Sequence, residues 1–400
     1  MTFESPAMYV FLCFSFILLG SSSLYRIKQY VFLLLNIIFI FLFIAHPRLP
    51  SIVILLLWVT SHFLVLKLML HVRAKRLVFI LWLIINLVWF LVSKEYTWIT
   101  RIFFMGHMYV WWSVLGYSFI LFRQIHLSVN VCDGMITDIE FLDYFNYNLA
   151  FWTFLAGPIQ RYDDFIGQWR LLETTKVNDH ERIKGLNRML WGLIKVVAIA
   201  PFFEQYADIK TFTALPNAVN FIILLMSFPL YLYLNFSGYC DVVIGFARSV
   251  GFKIPENFRS PFVARNIIDF WTRWHITLSE FFRDYLYFPM LMFSSRYFNA
   301  LASSVAATFI SFFLMGIWHG NSLRFAVFGI LHGAGVGAAL LYTEFLKKVL
   351  SKEKLKAYKN NKIIHIIAVI LCQSYVMATF LVFKYPMKDL HQLLDALKGH

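Results

Sequence analysis

The chain has 400 residues; 60% are hydrophobic, 19% aromatic and only 14% charged, with a mean hydropathy of +0.66. A soluble globular protein carries about 25% charged residues, so this composition excludes one and points to an integral membrane protein of many spans. The net charge of +14 would suggest a nucleic-acid binder in a soluble chain, but no basic arm or nucleic-acid motif is present, and in a membrane protein Lys and Arg hold cytoplasmic loops against anionic lipid.

A helix crosses the hydrocarbon core with about 20 mostly apolar residues. The opening apolar run lacks a basic n-region and a clear cleavage site, so it reads as a first span rather than a signal peptide. In chain order, spans are expected at 7–22, 30–45, 51–70, 77–92, 102–122, 186–203, 218–236, 301–318, 325–342 and 363–383. Two weaker pieces, 148–159 and 239–250, are too short or too polar for a full crossing and suit half-spans or re-entrant helices. The expectation is an all-α polytopic membrane protein with about ten or eleven crossings. It reads as one membrane domain, with N-terminal spans over 1–125, a motif-bearing core over 144–340, a basic loop over 344–362 and a last span and tail over 363–400.

Charge between the spans sets orientation. Arg26 and Lys28 follow the first span, and Arg73, Lys75 and Arg76 follow the third; the loops after the second and fourth carry Arg48, then Lys94 and Arg101 against Glu95. The positive-inside rule puts the N-terminus outside. Seven lysines in 344–362 mark a cytoplasmic loop, which leaves the C-terminal tail outside. Cys13, Cys132, Cys240 and Cys372 are far apart with no CxxC pair, which argues for packed thiols over a zinc or redox site; no metal and no bound cofactor is expected. No internal repeat or Walker motif is visible, which weakens a transporter reading.

Between Asn235 and Pro289 the texture changes: charges become frequent while aromatics stay dense. Residues 266–287 have the periodicity of one helix, with Ile267, Phe270, Trp271, Trp274 and Leu278 forming an apolar stripe that Asp269, Arg273, Glu280 and Arg283 leave. Such a segment suits a helix lying in the interface or dipping into a cavity. His275 follows Trp274 at the border of the stripe; its plain alternative is an interfacial histidine bonded to a carbonyl or to headgroups. His319 closes the 301–318 span in Gly316-Ile-Trp-His-Gly320, and the next span carries Gly329-Ile-Leu-His-Gly333. Small residues four apart let helices pack closely, so these two spans are expected to touch, with His319 and His332 near one cavity. An ionisable group inside a membrane is costly, and its default reading is functional. The alternative for each is a packing histidine, and His62, His71, His107 and His365 show that a lone histidine does not decide the matter here.

Two histidines without HExxH or GxSxG suit acyl transfer to a hydroxyl. That reaction needs a base near the acceptor oxygen and donors for the developing oxyanion, and a neutral imidazole has a pKa near operating pH. Tryptophan N–H groups or a second imidazole can supply the donors. The residues permit this chemistry without forcing it.

The motifs FLAGPIQRYDDF (154–165), NFSGYCDVVIGFARSVGFKIPENFRSPFVARNIIDFWTRWHITLSEFFRDYLYFP (235–289), MGIWHG (315–320) and GILHG (329–333) resemble those of the membrane-bound O-acyltransferase family, in its bacterial cell-envelope branch. The resemblance runs from about residue 144 to near the C-terminus and implies a funnel of about eleven helices with a central passage. It implies His319 as the catalytic histidine and His275 as the second. Arg273 and Arg283 become structural or acceptor-lining residues, Asn235, Asp241 and Asn257 fall in the polar insertion, and Trp274, Trp318 and His332 are further lining candidates. The implied activity moves an acyl group, acetyl first, from a cytoplasmic thioester (acetyl-CoA or an acyl-carrier protein) across the cytoplasmic membrane. The acceptor is a hydroxyl of an envelope polysaccharide or a separate extracellular acyltransferase. D-alanyl transfer to teichoic acid is the alternative within the class. Outside it stand a glycan or lipid transporter with histidine proton relays and a non-catalytic scaffold.

Overall fold

Backbone groups in lipid find partners only within their own segment or in neighbouring protein, and helices satisfy them with the fewest long-range constraints. The computed structural model describes residues 6–20, 27–44, 49–94, 96, 116–174, 177–209 and 217–398, and these fold almost wholly as helices. Among them the only β pairing is an isolated antiparallel bridge between Phe258 and Trp274. Seven helices are long and apolar enough to cross a membrane: Ser51–His71, Lys75–Val92, Asp179–Glu204, Ala218–Ser249, Ala300–His319, Leu323–Val349 and Lys362–Lys384. Two shorter apolar helices, Ala7–Gly20 and Lys28–Phe43, fall on the first two expected spans. The chain is therefore an all-α, polytopic membrane protein. Residues 102–115 of the fifth expected span, with His107, lie outside the described residues, as do Arg26, Arg48, Glu95 and Arg101; the helix described there is Tyr117–Cys132.

Three expectations need correction. The piece 239–250 is no half-span: it continues the 32-residue helix Ala218–Ser249, in which Pro229 and Gly238 are accommodated without a break. The piece 148–159 forms only a short 3₁₀ turn, Phe151–Thr153. Its backbone is satisfied by a buried guanidinium instead of by helix: Arg123, 1% exposed, donates to the carbonyls of Tyr147, Asn148 and Thr153 at 2.8–2.9 Å. Third, 266–287 is not one helix. Ile267–Trp271 and Ile276–Phe282 are separated by a turn in which His275 takes a left-handed φ of 43°. The cause is the preceding loop, whose backbone pairs with this turn: Arg259 N–H donates to the Arg273 carbonyl and Ile276 N–H to that of Asn257, both at 2.9 Å.

The described residues group into two compact units. The first comprises 1–193 and 239–255. There the Asp179–Ile194 helix crosses the end of the Ala218–Ser249 helix at Gly185 and Gly245; a Cβ on Gly185 would lie 2.6 Å from the Gly245 carbonyl oxygen. Arg188–Asp241 and Arg248–Glu181 ion pairs, at 2.9 and 2.7 Å, flank that crossing. A polar chain also runs through this unit. Tyr144 donates its hydroxyl hydrogen to the Val59 carbonyl and so accepts from His62 Nδ1, leaving His62 Nε2 to accept from Ser128.

The second unit comprises 194–238 and 256–400. Its centre is the antiparallel pair Ala300–His319 and Leu323–Val349, packed through the small residues that the sequence places four apart. A Cβ on Gly329 would lie 2.5 Å from the Phe312 carbonyl oxygen, and one on Gly316 2.9 Å from the Gly329 Cα. The expected apolar stripe turns into protein: Ile267, Phe270, Trp271, Trp274 and Leu278 are all buried.

Candidate active site

The second unit brings His319, His275 and His332 together. His319 ends the Ala300–His319 helix, half-buried. Its ring lies among aromatics, with centroid distances of 4.7 Å to Trp318, 4.9 Å to Phe383, 6.1 Å to Phe325 and 6.2 Å to Phe328. Phe328 packs against both His319 and His332, which ties these two rings to one aromatic cluster.

His275 is held at one nitrogen. Its Nδ1 lies 3.1 Å from Asn257 Oδ1. The backbone N–H and the hydroxyl of Thr277 also donate to that atom, at 3.2 and 3.0 Å. An atom that accepts from a backbone N–H must be the amide oxygen, so His275 Nδ1 is the proton-bearing nitrogen and the neutral ring keeps its lone pair at Nε2. Phe236 packs edge-on to the ring at 4.8 Å. A left-handed backbone at a non-glycine residue costs roughly 1–3 kcal/mol and tends to occur where function needs a side chain aimed. Here Asn257, wholly buried, sustains it by receiving three donors on one oxygen while its own carbonyl takes the Ile276 N–H.

His332 is the opposite case. Thr379 donates its hydroxyl hydrogen to the Val376 carbonyl at 2.7 Å, so it accepts from His332 Nε2 at 2.9 Å; His332 Nδ1 then accepts from the Trp271 indole N–H at 3.1 Å. Both nitrogens are used and the residue has no exposed surface. This arrangement makes His332 a support for Trp271.

The remaining candidates are dispersed. Trp274 is buried against Phe270, Phe258 and Phe380. Arg273 bonds Asp269 at 2.7 Å, tying the short Ile267–Trp271 helix to its own turn. Arg283 bonds Asp284 at 2.8 Å on an exposed stretch. Trp318 packs on His319. Asn235 lies half-buried on the Ala218–Ser249 helix. Asp241 belongs to the first unit, where Arg188 engages it.

The same unit contains a cavity of about 280 Å³ whose wall includes Trp271, the residue that His332 supports, with Ile276 and Met315; His275, His319 and His332 are not among its lining residues. Sequence reading missed the parts played by Trp271, Phe328 and Phe383. Phe328 packs between two histidines, 4.3 Å from His332 and 6.2 Å from His319; one signal was available, since Phe328 and His332 are four apart on one helix face. Among the described residues no three His, Cys, Asp or Glu side chains converge as a metal would require.

Comparison with known proteins shows the family of the chain. The sequence model of the MBOAT, membrane-bound O-acyltransferase, family matches residues 92–382. The chain is 30% identical over 278 residues to the teichoic acid D-alanyltransferase of Bacillus subtilis (strain 168), a match covering 68% of each chain. It is 30% identical over 264 residues to the peptidoglycan O-acetyltransferase of Helicobacter pylori, covering 65% of this chain and 46% of that one. It is 31% identical over 220 residues to the probable alginate O-acetylase AlgI of Pseudomonas putida, covering 55% and 44%. The match thus spans about two thirds of the first relative and less than half of the other two.

Proposed function

The chain belongs to the membrane-bound O-acyltransferase family and is an O-acyltransferase, and from that premise we propose that it carries a small acyl group from a cytoplasmic thioester to a hydroxyl of a cell-envelope polysaccharide or of a partner extracellular acyltransferase. The acyl group is acetyl from acetyl-CoA in the first reading. It is D-alanyl from a carrier-protein thioester in the second, which the longer match to the D-alanyltransferase favours. The site is set in the cytoplasmic membrane, with the donor reached from the lysine-rich 344–362 side.

One observation carries the proposal: in the unit that also holds His319, His275 has its Nδ1 committed to Asn257 and its Nε2 lone pair left for a reactant. In the proposed step His319 takes the proton of the acceptor hydroxyl as its oxygen attacks the thioester carbonyl carbon. The C–O bond forms, the C–S bond breaks, and the proton passes to the departing thiolate. His275 Nε2, which can only accept, takes a hydrogen bond from a neighbouring donor group of the acceptor, since the one proton of the attacking hydroxyl goes to His319. Positioned general-base catalysis contributes about 10²–10⁴ in rate, and the aromatic rings around the half-buried His319 shield part of its surface from water.

The test is chemical. Ester-linked acetate and D-alanine are released from purified envelope polymers of wild type, a deletion strain and His319→Ala at matched membrane abundance. Loss of one ester in both mutants supports the proposal and names the acyl group. A His319→Ala strain with undiminished ester would remove His319 from the chemistry.

A further inference from the structure

Close to His319 stands a cation that the proposed step does not use. Arg324 follows His319 by five residues, past the exposed Asn321 and Ser322, in the first turn of the Leu323–Val349 helix. Its guanidinium carbon lies 4.7 Å from the centre of the Phe325 ring, and that ring lies 6.1 Å from His319. The guanidinium and the imidazole are therefore at most about 11 Å apart. Phe383, 5.1 Å from Phe325 and 4.9 Å from His319, joins both groups to one aromatic cluster.

This charge is unmatched. Among the described residues the guanidinium makes one hydrogen bond, from Nη1 to the Lys384 carbonyl, and its Nε is buried without an acceptor. A carbonyl needs a donor, not a full charge. The other cation there is engaged: Lys384 Nζ donates to the Ala207 carbonyl and lies 5.0 Å from the rings of Phe228 and Tyr385. The setting also disfavours a cation. The first turn of a helix attracts negative charge, and this one contains no acidic residue. With the lysine-rich 344–362 loop in the cytoplasm, the far ends of the two helices that flank it, at Leu323 and Lys384, face the opposite side, where membrane proteins carry fewer Lys and Arg. A half-buried guanidinium with an unused donor and no counter-charge fits an oxyanion, phosphate or carboxylate, supplied from outside the chain.

We infer that Arg324 is an acceptor-binding residue whose guanidinium receives an oxyanion of the acceptor polymer. The inference rests on the acyl-transfer reading above and deepens it. Hydrogen bonds of about 2.8 Å at each end leave only a few ångströms of the span between His319 and Arg324, so the attacking hydroxyl and the oxyanion belong to one repeating unit.

The test offers unmodified envelope polymers from a deletion strain, separated by anion exchange into neutral and anionic fractions, to membranes containing the full chain. Acetyl and D-alanyl thioesters of pantetheine are the donors, and ester on polymer is the readout. Arg324→Gln keeps a donor for the Lys384 carbonyl and removes the charge; Arg324→Lys keeps the charge. The expected result is ester on the anionic fraction, with Arg324→Gln raising the polymer concentration for half-maximal rate roughly tenfold or more at an unchanged maximal rate. Arg324→Lys should recover part of that loss, and added salt should weaken wild type more than Arg324→Gln. The phosphorus content of the esterified polymer then tells phosphate from carboxylate. Ester on the neutral fraction, or a lower maximal rate in Arg324→Gln at unchanged half-saturation, would overturn the inference. Less co-purified phospholipid in Arg324→Gln with unchanged half-saturation would assign the oxyanion to a lipid headgroup and overturn it too. In cells, esters lost on deletion and restored in full by Arg324→Gln at low expression would overturn it and leave acyl transfer standing. A deletion strain that loses no ester would overturn both.

Discussion

The two units each bury a histidine in a directional chain of hydrogen bonds, and the chains have the same grammar. In the first, Ser128 donates to His62, His62 to Tyr144 and Tyr144 to the Val59 carbonyl. In the second, Trp271 donates to His332, His332 to Thr379 and Thr379 to the Val376 carbonyl. Each chain ends on a helix carbonyl and consumes both imidazole nitrogens. His275 breaks the pattern. Its Nδ1 is anchored on Asn257 while Nε2 is left over, and its backbone is held left-handed. Burial alone therefore does not separate structural from functional histidines in this protein: His62, His332 and His275 are all buried. Among these three, His275 differs in leaving one ring nitrogen without a hydrogen-bond partner among the described residues.

This comparison can be broken or sharpened by substitution. The largest effect is expected at His319: His319→Ala should lower acyl transfer by about 10²–10⁴ at unchanged membrane abundance, read as ester released from the polymer. Next comes Asn257→Ala, which removes the partner that orients His275 and orphans the Thr277 donors. Turnover should fall on the order of 10–100-fold, as when an imidazole loses its orienting partner, with thermal stability in detergent lower by roughly 1–3 kcal/mol. An Asn257→Ala protein with normal turnover would strip His275 of its proposed role. The smallest effect is expected at His62→Phe, where only a satisfied chain is cut. Interhelical hydrogen bonds in membranes contribute about 0.5–2 kcal/mol, so the melting temperature should drop slightly while turnover per folded molecule stays level. A turnover defect there would erase the distinction between the two classes of histidine.

Much of this was legible in the sequence because lipid imposes one strong rule, and apolar runs of span length become helices. Nine of the expected spans fall on described helices, and Gly316 and Gly329 meet where their spacing implied. The failures have a common physical source. The unbroken Ala218–Ser249 helix, the 3₁₀ turn at Phe151–Thr153 and the break before His275 are all decided by partners distant in sequence. Periodicity registers neither the Arg123 guanidinium that satisfies carbonyls some thirty residues on nor the Asn257 loop that pairs with the His275 turn. The same holds for the site. GIWHG and RWH drew attention to His319 and His275, but which nitrogen of which ring is left over depends on Asn257, Thr379 and Trp271.

The account's central claim is that acyl transfer depends on His319 and not on the histidines whose nitrogens are both consumed. The most direct measurement takes a deletion strain and restores wild type, His319→Ala or His62→Phe at equal membrane abundance, then quantifies ester-linked acyl groups on purified envelope polymers. The account predicts esters with wild type and with His62→Phe, and none above the deletion background with His319→Ala. Esters restored in full by His319→Ala would contradict it.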